Sequence, residues 1–318
     1  MKRLMLGLAH AIRAELDAGR MVNKNRRVLN DSPGGDAQFD IDAAAERVVW
    51  DYLRANTNES LAVYTEDHGL RSTGQNPRHV LVVDPIDGSR PASAGLELAT
   101  VSIAAAPMSD DATLADVDHA LLLELKSGTW MYTGADEPTL IGEGYPRGLP
   151  NLSGNSDLAK MFWSIEFNGH PMRLMTAAYA HLVDMSANTG GVFVFNSASF
   201  SISRVISGQL DAYVDIGNRV LHDHPETEAA FLVAGRGNIL HLFPYDIAAS
   251  VLLAERAGVV ITDGYGKSLH GTRLFDLSPN NQQSCIAAAN PLLHSRILEA
   301  VAWDLGSPGA DPTMGGVA

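Results

Sequence analysis

The segment Val80-Leu-Val-Val-Asp84-Pro-Ile-Asp87-Gly-Ser89 constrains this chain more than any other. Its first four residues are apolar and mostly β-branched, so they read as a buried strand, and the run stops at an acidic turn containing Pro85 and Gly88. Carboxylates therefore sit where a buried strand ends. Pro85 fixes φ and removes a backbone donor, so the turn can aim the Asp84 and Asp87 side chains and the Ile86 carbonyl at one point. Two carboxylates and a carbonyl oxygen suit a Mg²⁺-type cation, a hard ion that takes oxygen ligands and bridges to phosphate. Gly88 and Ser89 add backbone N–H groups in a turn that can open a helix, where an anion is stabilised. Turn chemistry also explains each residue separately, because Asp bonds its own backbone and Gly takes positive φ. On this fragment alone, a surface turn and a site stand level.

Further segments fall in order around it. Asp42-Ala-Ala-Ala-Glu46 and Thr65-Glu66-Asp67 precede it, and Ala99-Thr-Val-Ser-Ile103 follows. Ser197-Ala-Ser, Gly208-Gln-Leu-Asp211-Ala-Tyr, and Tyr245-Asp246-Ile-Ala-Ala249 leading to Glu255-Arg-Ala-Gly258 come later. Together they resemble the D-x-x-x-E, G-E-E, D-P-[IL]-D-G-[TS], G-S-x-A, G-x-x-D-x-Y and W-D-x-A-A segments of the inositol monophosphatase family. These are Mg²⁺-dependent, lithium-sensitive sugar phosphatases of the superfamily that includes fructose-1,6-bisphosphatase. The resemblance spans about residues 35 to 290, and ordered motifs are far more specific than any one of them.

The resemblance implies an α/β fold, a layered α-β-α-β-α sandwich, assembled as a homodimer. It implies two or three Mg²⁺ ions per subunit. Glu66, Asp84 and the Ile86 carbonyl would hold one, Asp84, Asp87 and Asp246 a second, and a third would lie near Glu66. Ser89, paired to Asp42, would help Glu66 orient the attacking water, and the Gly88 and Ser89 amides would hold the phosphate. Read from the residues alone, Asp40 or Asp42 is a helix N-cap. The substrate expected is a small phosphorylated sugar or polyol. Arg90, directly after the phosphate turn, and Asp215 are the candidate substrate-binding residues. Arg90 could reach a second phosphate or pair with a neighbouring acid such as Glu97.

The sequence departs from the family pattern at several places. Thr65 and Asp67 flank Glu66, Ser89 stands for Thr, Arg90-Pro91 for a Thr-Asn pair, and Ser250 for Gly. None removes an expected ligand. Residues 216–244 include an insertion across the segment where inositol-specific members place an acid against the inositol hydroxyls. It either covers the sugar end of the pocket or extends a subunit contact, and the substrate is in doubt more than the reaction. A fructose-1,6-bisphosphatase, a 3′-phosphonucleotide phosphatase and a non-catalytic phosphate-binding relative are the alternatives.

A net charge of −14 and the absence of a Lys/Arg run argue against a nucleic-acid surface. The single cysteine, Cys285, rules out an internal disulfide and lies in an apolar run that reads as buried. No apolar run reaches membrane-spanning length, so a cytoplasmic protein without a membrane partner is expected. His222-Asp-His224 is a rival metal constellation, but near-adjacent residues rarely face one ion and Pro225 follows, so a solvated loop is favoured.

Leu4, Leu8, Ile12 and Leu16 space an amphipathic helix ending near Gly19, and residues 26–39 read as a loop. Strands are expected at 61–64, 80–83, 98–106, 120–125 and 130–132, with a mobile flap at 69–78. The Gly, Pro and Asn density of 142–157 places a boundary between an N-terminal domain, 1–155, carrying the Asp-Pro-Ile-Asp-Gly-Ser motif, and a C-terminal domain, 156–318, carrying Asp246. In the second half helices and strands alternate, which predicts a mixed sheet covered by helices, ending in a frayed tail from Gly306.

Overall fold

The computed structural model describes residues 1–17 and 26–305, so the expected helix end at Gly19 and the tail from Gly306 lie outside the described residues. Helix α1 (Lys2–Asp17) buries Met5, Leu8 and Ile12, the face that the spacing predicts. Residues 28–39, expected as a loop, instead form a hairpin of β1 (Val28–Asp31) and β2 (Ala37–Phe39) around Ser-Pro-Gly-Gly. The turn signals located its tip. Its short arms carry no buried alternation that a period-2 pattern could report.

Next come α2 (Asp40–Asn56), β3 (Ala62–Thr65), β4 (Gly69–Ser72), β5 (His79–Asp87) and the short α3 (Ser89–Ser93). They are followed by β6 (Thr100–Pro107), β7 (His119–Glu124), β8 (Trp130–Gly134) and β9 (Glu137–Glu143). All seven strands from β3 to β9 share one sheet, in the order β4-β3-β5-β6-β7-β8-β9. Two differences from expectation appear at its edges. The start of the expected flap is edge strand β4, paired with β3, and β9 was unforeseen because Leu140 is its only buried residue.

The remaining elements are β10 (Phe162–Ile165), α4 (Met172–Ser186), β11 (Gly191–Phe193), α5 (Ala198–Ile206), β12 (Ala212–Asp215), α6 (Gly217–Asp223) and α7 (Glu228–Ala234). Last come α8 (Pro244–Ala257), β13 (Val260–Thr262), β14 (Cys285–Ala288) and α9 (Pro291–Ala300). A second sheet runs β11-β10-β12-β14-β13, with β10 parallel to β11 and β12 and β14 antiparallel to both its neighbours. Cys285 is buried in it.

Alternation along the strands sets the layers. On β5, Leu81 and Val83 face α1 and α2, whereas Val80 and Val82 face the interior with Ile202 of α5 and Ile247 and Val251 of α8. On β12 and β14, Tyr213 and Ala287 face that same middle layer, while Val214 and Ile286 face α4 and α9. The result is α-β-α-β-α. Helix α8 lies between the two sheets, and its Ala248, Ala249 and Ala254 let both approach closely. Enlarging Ala249 to Leu would overpack that layer, at a cost of about 1–3 kcal/mol.

Candidate functional site

The β5 strand and its antiparallel partner β6 are irregular between Asp84 and Asp87, so the extra Pro-Ile step throws both carboxylates to the same side. Gly88 follows with φ +96°, and a Cβ there would meet the Leu98 carbonyl and Ser197 at 2.9 Å. Only glycine lets the chain turn this close to α5. One Asp84 oxygen accepts from the Ile86 N–H at 3.0 Å. Asp87 accepts from the Ser197 hydroxyl at 2.9 Å and from the Ser199 N–H at 2.5 Å. Ser199 also donates its hydroxyl to the Asp246 carbonyl at 3.2 Å. The N-terminus of α5 thus fastens two parts of the site to one another, a task the Ser197-Ala-Ser segment did not disclose in sequence.

Two helices begin in the same way. In α2 the N-cap is Phe39, and Asp42, three residues on, returns one oxygen to the Phe39 N–H at 2.7 Å. In α8 the N-cap is Phe243, and Asp246 returns one oxygen to the Phe243 N–H at 2.7 Å. Asp42 is therefore not the N-cap but the third helical residue, and neither is Asp40. In each case one oxygen secures the helix start and the other is left for the site. The second Asp42 oxygen accepts from Ser89 Oγ at 2.6 Å, and Ser89 Oγ also lies 3.0 Å from the Ile86 carbonyl.

Oxygen atoms of Asp84, Asp87 and Asp246 come within 4.8 Å of one another. Glu66, just past β3, lines the same cleft but stands outside that tight group. Burial, then mutual repulsion, pushes Asp84, Asp246 and Glu66 well above the usual carboxylate range. Burial also raises Asp87 and brings Asp42 to about 7. Close-set, poorly hydrated carboxylates of this kind repel strongly unless a cation intervenes. The donor set is all oxygen, which fits a hard divalent cation and not a thiolate- or imidazole-seeking one. Behind Glu66, the Thr65 hydroxyl and His68 both bond the buried Glu46 carboxylate, so Thr65, where the family has Gly, braces the strand end.

The cleft extends from these carboxylates to a second group. Asp215, at the end of β12, accepts from the Gly217 N–H at 3.1 Å and lies 3.9 Å from His170 Nε2. Glu166, just past β10, accepts from the Phe167 and Asn168 N–H groups at 2.9 and 3.0 Å. Burial raises each of these carboxylates to about 7. His170 Nε2 is 3.2 Å from His241 Nδ1, and burial lowers both imidazoles. Glu166, His170 and His241 were not anticipated. A signal existed for Glu166 alone: like Asp84 and Asp215 it is a carboxylate that ends an apolar strand, the usual place for ligand contacts in layered α/β folds.

Arg90 also lines the cleft, with its guanidinium held by both oxygens of Asp36 at 3.1 and 2.6 Å. Its acidic partner is thus the hairpin residue Asp36 and not Glu97. The 216–244 segment folds as α6 and α7 and returns to the cleft, where Leu240, His241, Leu242 and Phe243 line it. Asn238 donates to the Gly35 carbonyl at 3.1 Å, which joins this segment to the hairpin. The rival constellation does not converge at the end of α6: His222 and Asp223, 3.6 Å apart, both meet Tyr265, Asp223 also meets Arg219, and His224 turns to the Trp303 carbonyl.

The layered fold with a cleft of strand-end carboxylates defines a candidate metal-dependent enzyme, and comparison with known proteins places it more narrowly. The model of the inositol monophosphatase family matches residues 4–304. A protein of Archaeoglobus fulgidus named fructose-1,6-bisphosphatase/inositol-1-monophosphatase is 26% identical over 259 residues, covering 81% of this chain and 82% of that protein. One of the same name from Methanothermobacter thermautotrophicus is 23% identical over 264 residues, with 82% of each covered. The crystal structure of extragenic suppressor protein suhB from Bartonella henselae superposes with a TM-score of 0.67 at 18% identity, over 94% of this chain and 97% of that one. The chain belongs to the inositol monophosphatase family and is a phosphatase.

Proposed function

We propose that this phosphatase is a Mg²⁺-dependent phosphomonoesterase acting on a small sugar or polyol phosphate of the inositol 1-phosphate type. The convergence of Asp84, Asp87 and Asp246 on one point of the cleft carries this reading. Asp84 and the Ile86 carbonyl with Glu66, and Asp84 with Asp87 and Asp246, are the ligand sets for two Mg²⁺ ions, with a third near Glu66. Bound Mg²⁺ supplies a lowered pKa for the attacking water and charge stabilisation at the leaving oxygen. Ser89 donates its hydroxyl hydrogen bond to Asp42 and so offers lone pairs to the water, which Glu66 orients from its other side. The Gly88 and Ser89 amides hold the phosphate.

Residues 1–155 and 156–318 act as the two halves of this site, the first bringing Glu66, Asp84 and Asp87 and the second Asp246 and Asp215. Lithium sensitivity belongs to the same proposal, through an oxygen-lined and weakly held metal position. So does a cytoplasmic homodimer: Phe162, Phe193 and Val194 are exposed beside edge strand β11, a place suited to a second copy. Among the described residues no helix is long and apolar enough to cross a membrane. A bisphosphatase is the second reading, favoured by the names of the archaeal relatives.

Phosphate release from a panel of phosphomonoesters, with and without Mg²⁺, tests the proposal. Release from inositol 1-phosphate that depends on Mg²⁺ is expected. Hydrolysis that survives complete chelation would overturn it.

A further inference from the structure

Glu66 occupies a place that the sheet alone does not hold firmly. It opens the three-residue loop Glu66-Asp67-His68 that joins β3 to the edge strand β4, and Gly69 closes that loop with φ +61°. Loops at a sheet edge open readily where few contacts hold them. A carboxylate that must face a cation and a water in one fixed orientation needs firmer support.

Both ends of this loop are tied to a single buried atom. Glu46 of α2 is 2% exposed, and its Oε1 accepts from the Thr65 hydroxyl at 2.6 Å and from His68 Nδ1 at 2.5 Å. Trp50 Nε1, one turn further along α2, donates to the same oxygen at 3.3 Å. An oxygen that accepts from Thr65 and Trp50 is an acceptor toward His68 too, which puts the His68 proton on Nδ1. Thr65 Oγ1 also accepts from the His68 N–H at 3.3 Å, so the residues flanking Glu66 and Asp67 are bonded to each other as well as to Glu46. Glycine, which the family pattern has at position 65, offers no hydroxyl for these bonds.

The helix that supplies Glu46 also supplies Asp42. The two are four residues apart and share one face of α2, and Asp42 accepts from Ser89 Oγ at 2.6 Å. Asp42, Glu46, Glu66, Asp67 and Asp84 line one small cavity, so the α2 carboxylates stand directly behind the cleft. One helix thus fastens both Glu66 and Ser89.

We infer that Glu46, together with Thr65 and His68, positions Glu66: the three side chains fix the β3–β4 loop to α2 and so set the placing of Glu66 relative to Ser89. The inference rests on the reading of Glu66 as a metal ligand of a phosphatase. All three are positioning residues, acting through Glu66 and touching no substrate.

The test uses the full chain. Thr65→Val removes the hydroxyl at nearly constant volume, Thr65→Ser restores it, and His68→Leu removes the imidazole from a partly exposed position. Two quantities are read: kcat and KM for p-nitrophenyl phosphate at saturating Mg²⁺, and binding of Mn²⁺, in place of Mg²⁺, without substrate, followed by electron paramagnetic resonance. Thr65→Val and His68→Leu should each lower kcat and weaken Mn²⁺ binding about tenfold, with KM changed about twofold or less. Thr65→Ser should match the wild type. Thr65→Val decides the matter if His68→Leu does not fold. Wild-type kcat and Mn²⁺ affinity in Thr65→Val, or equal losses in Thr65→Val and Thr65→Ser, overturn the inference while leaving the phosphatase reading intact. A wild type that binds Mn²⁺ but hydrolyses no phosphomonoester overturns the phosphatase reading, and Mn²⁺ binding by the variants then decides the inference. If the wild type binds no Mn²⁺, both fail.

Discussion

The two ends of the cleft hold the same kind of residue in opposite arrangements. At one end Asp84, Asp87 and Asp246 bring carboxylate oxygens within 4.8 Å of one another. At the other, Glu166 and Asp215 are each tied to backbone N–H groups and stand beside two imidazoles. Burial raises the carboxylates at both ends, but mutual repulsion contributes most where they converge. A carboxylate pair too close for comfort calls for a divalent cation, whereas a single buried carboxylate is satisfied by a hydroxyl proton. The difference shows that acidity alone does not define a metal site. Convergence does.

The largest effect that would break this comparison is loss of one converging ligand. Asp84→Asn or Asp246→Asn should lower kcat by roughly a thousandfold or more at saturating Mg²⁺, because the transition-state charge is stabilised mainly there. The fold should persist, since Asn relieves repulsion. Near-normal turnover in either variant at high Mg²⁺ would remove the distinction between the ends.

A smaller effect concerns the support of Asp87. Ser197→Ala removes a hydroxyl that both caps α5, accepting from the Phe200 N–H at 3.2 Å, and donates to Asp87 at 2.9 Å. Mg²⁺ titrations of activity should show about tenfold weaker apparent affinity, and denaturant melts about 1 kcal/mol less stability. Unchanged Mg²⁺ dependence would mean that the Ser199 N–H orients Asp87 by itself.

At the end lined by Glu166 and Asp215 the sign of a pH effect sharpens the contrast. Asp215 is raised from 3.8 to about 7, so the folded state keeps a proton that the unfolded state has already lost. The stability this group contributes is complete below pH 3.8 and is lost as pH rises through 7. Asp215→Asn cannot ionise. In chelator, the variant should therefore gain on the wild type as pH climbs, by about 4 kcal/mol between pH 4 and 8. A difference in melting that stays flat across this range would show that Asp215 ionises freely in the fold.

Smallest of all is the effect expected of Arg90. Its pair with Asp36 is partly exposed, with side chains 33% and 22% accessible, so Arg90→Ala should cost about 1 kcal/mol or less. Faster proteolysis of the 28–39 hairpin should reveal it, with the same modest change in KM for mono- and bisphosphorylated esters. A KM effect confined to the bisphosphate would restore Arg90 as a reader of a second phosphate and abolish the asymmetry of the cleft.

Legibility in the sequence followed locality. The Val80–Val83 run and its Asp-Pro-Ile-Asp-Gly turn could be read because strand, stop and carboxylates are contiguous, and β5 with its irregular end is what the structure contains. The layered architecture came from the resemblance to the family, whereas alternation and helical spacing, being properties of neighbouring residues, located single strands and helices and a helix-covered sheet in the second half. The β1–β2 hairpin and β9 were not legible, because their burial is too slight to leave a pattern.

What the sequence determined by itself is which short stretches end in carboxylates and which faces must be buried. Apart from the grouping that the family resemblance implied, only the tertiary structure decided which of those carboxylates meet. Asp246 reaches Asp84 and Asp87 because α8 packs between two sheets and α5 pins both sides through Ser197 and Ser199. Likewise His170 and His241, seventy-one positions apart, meet with Phe231 of α7 packed against both. Such contacts join segments distant in the chain, so their energies depend on packing that no local run of residues encodes.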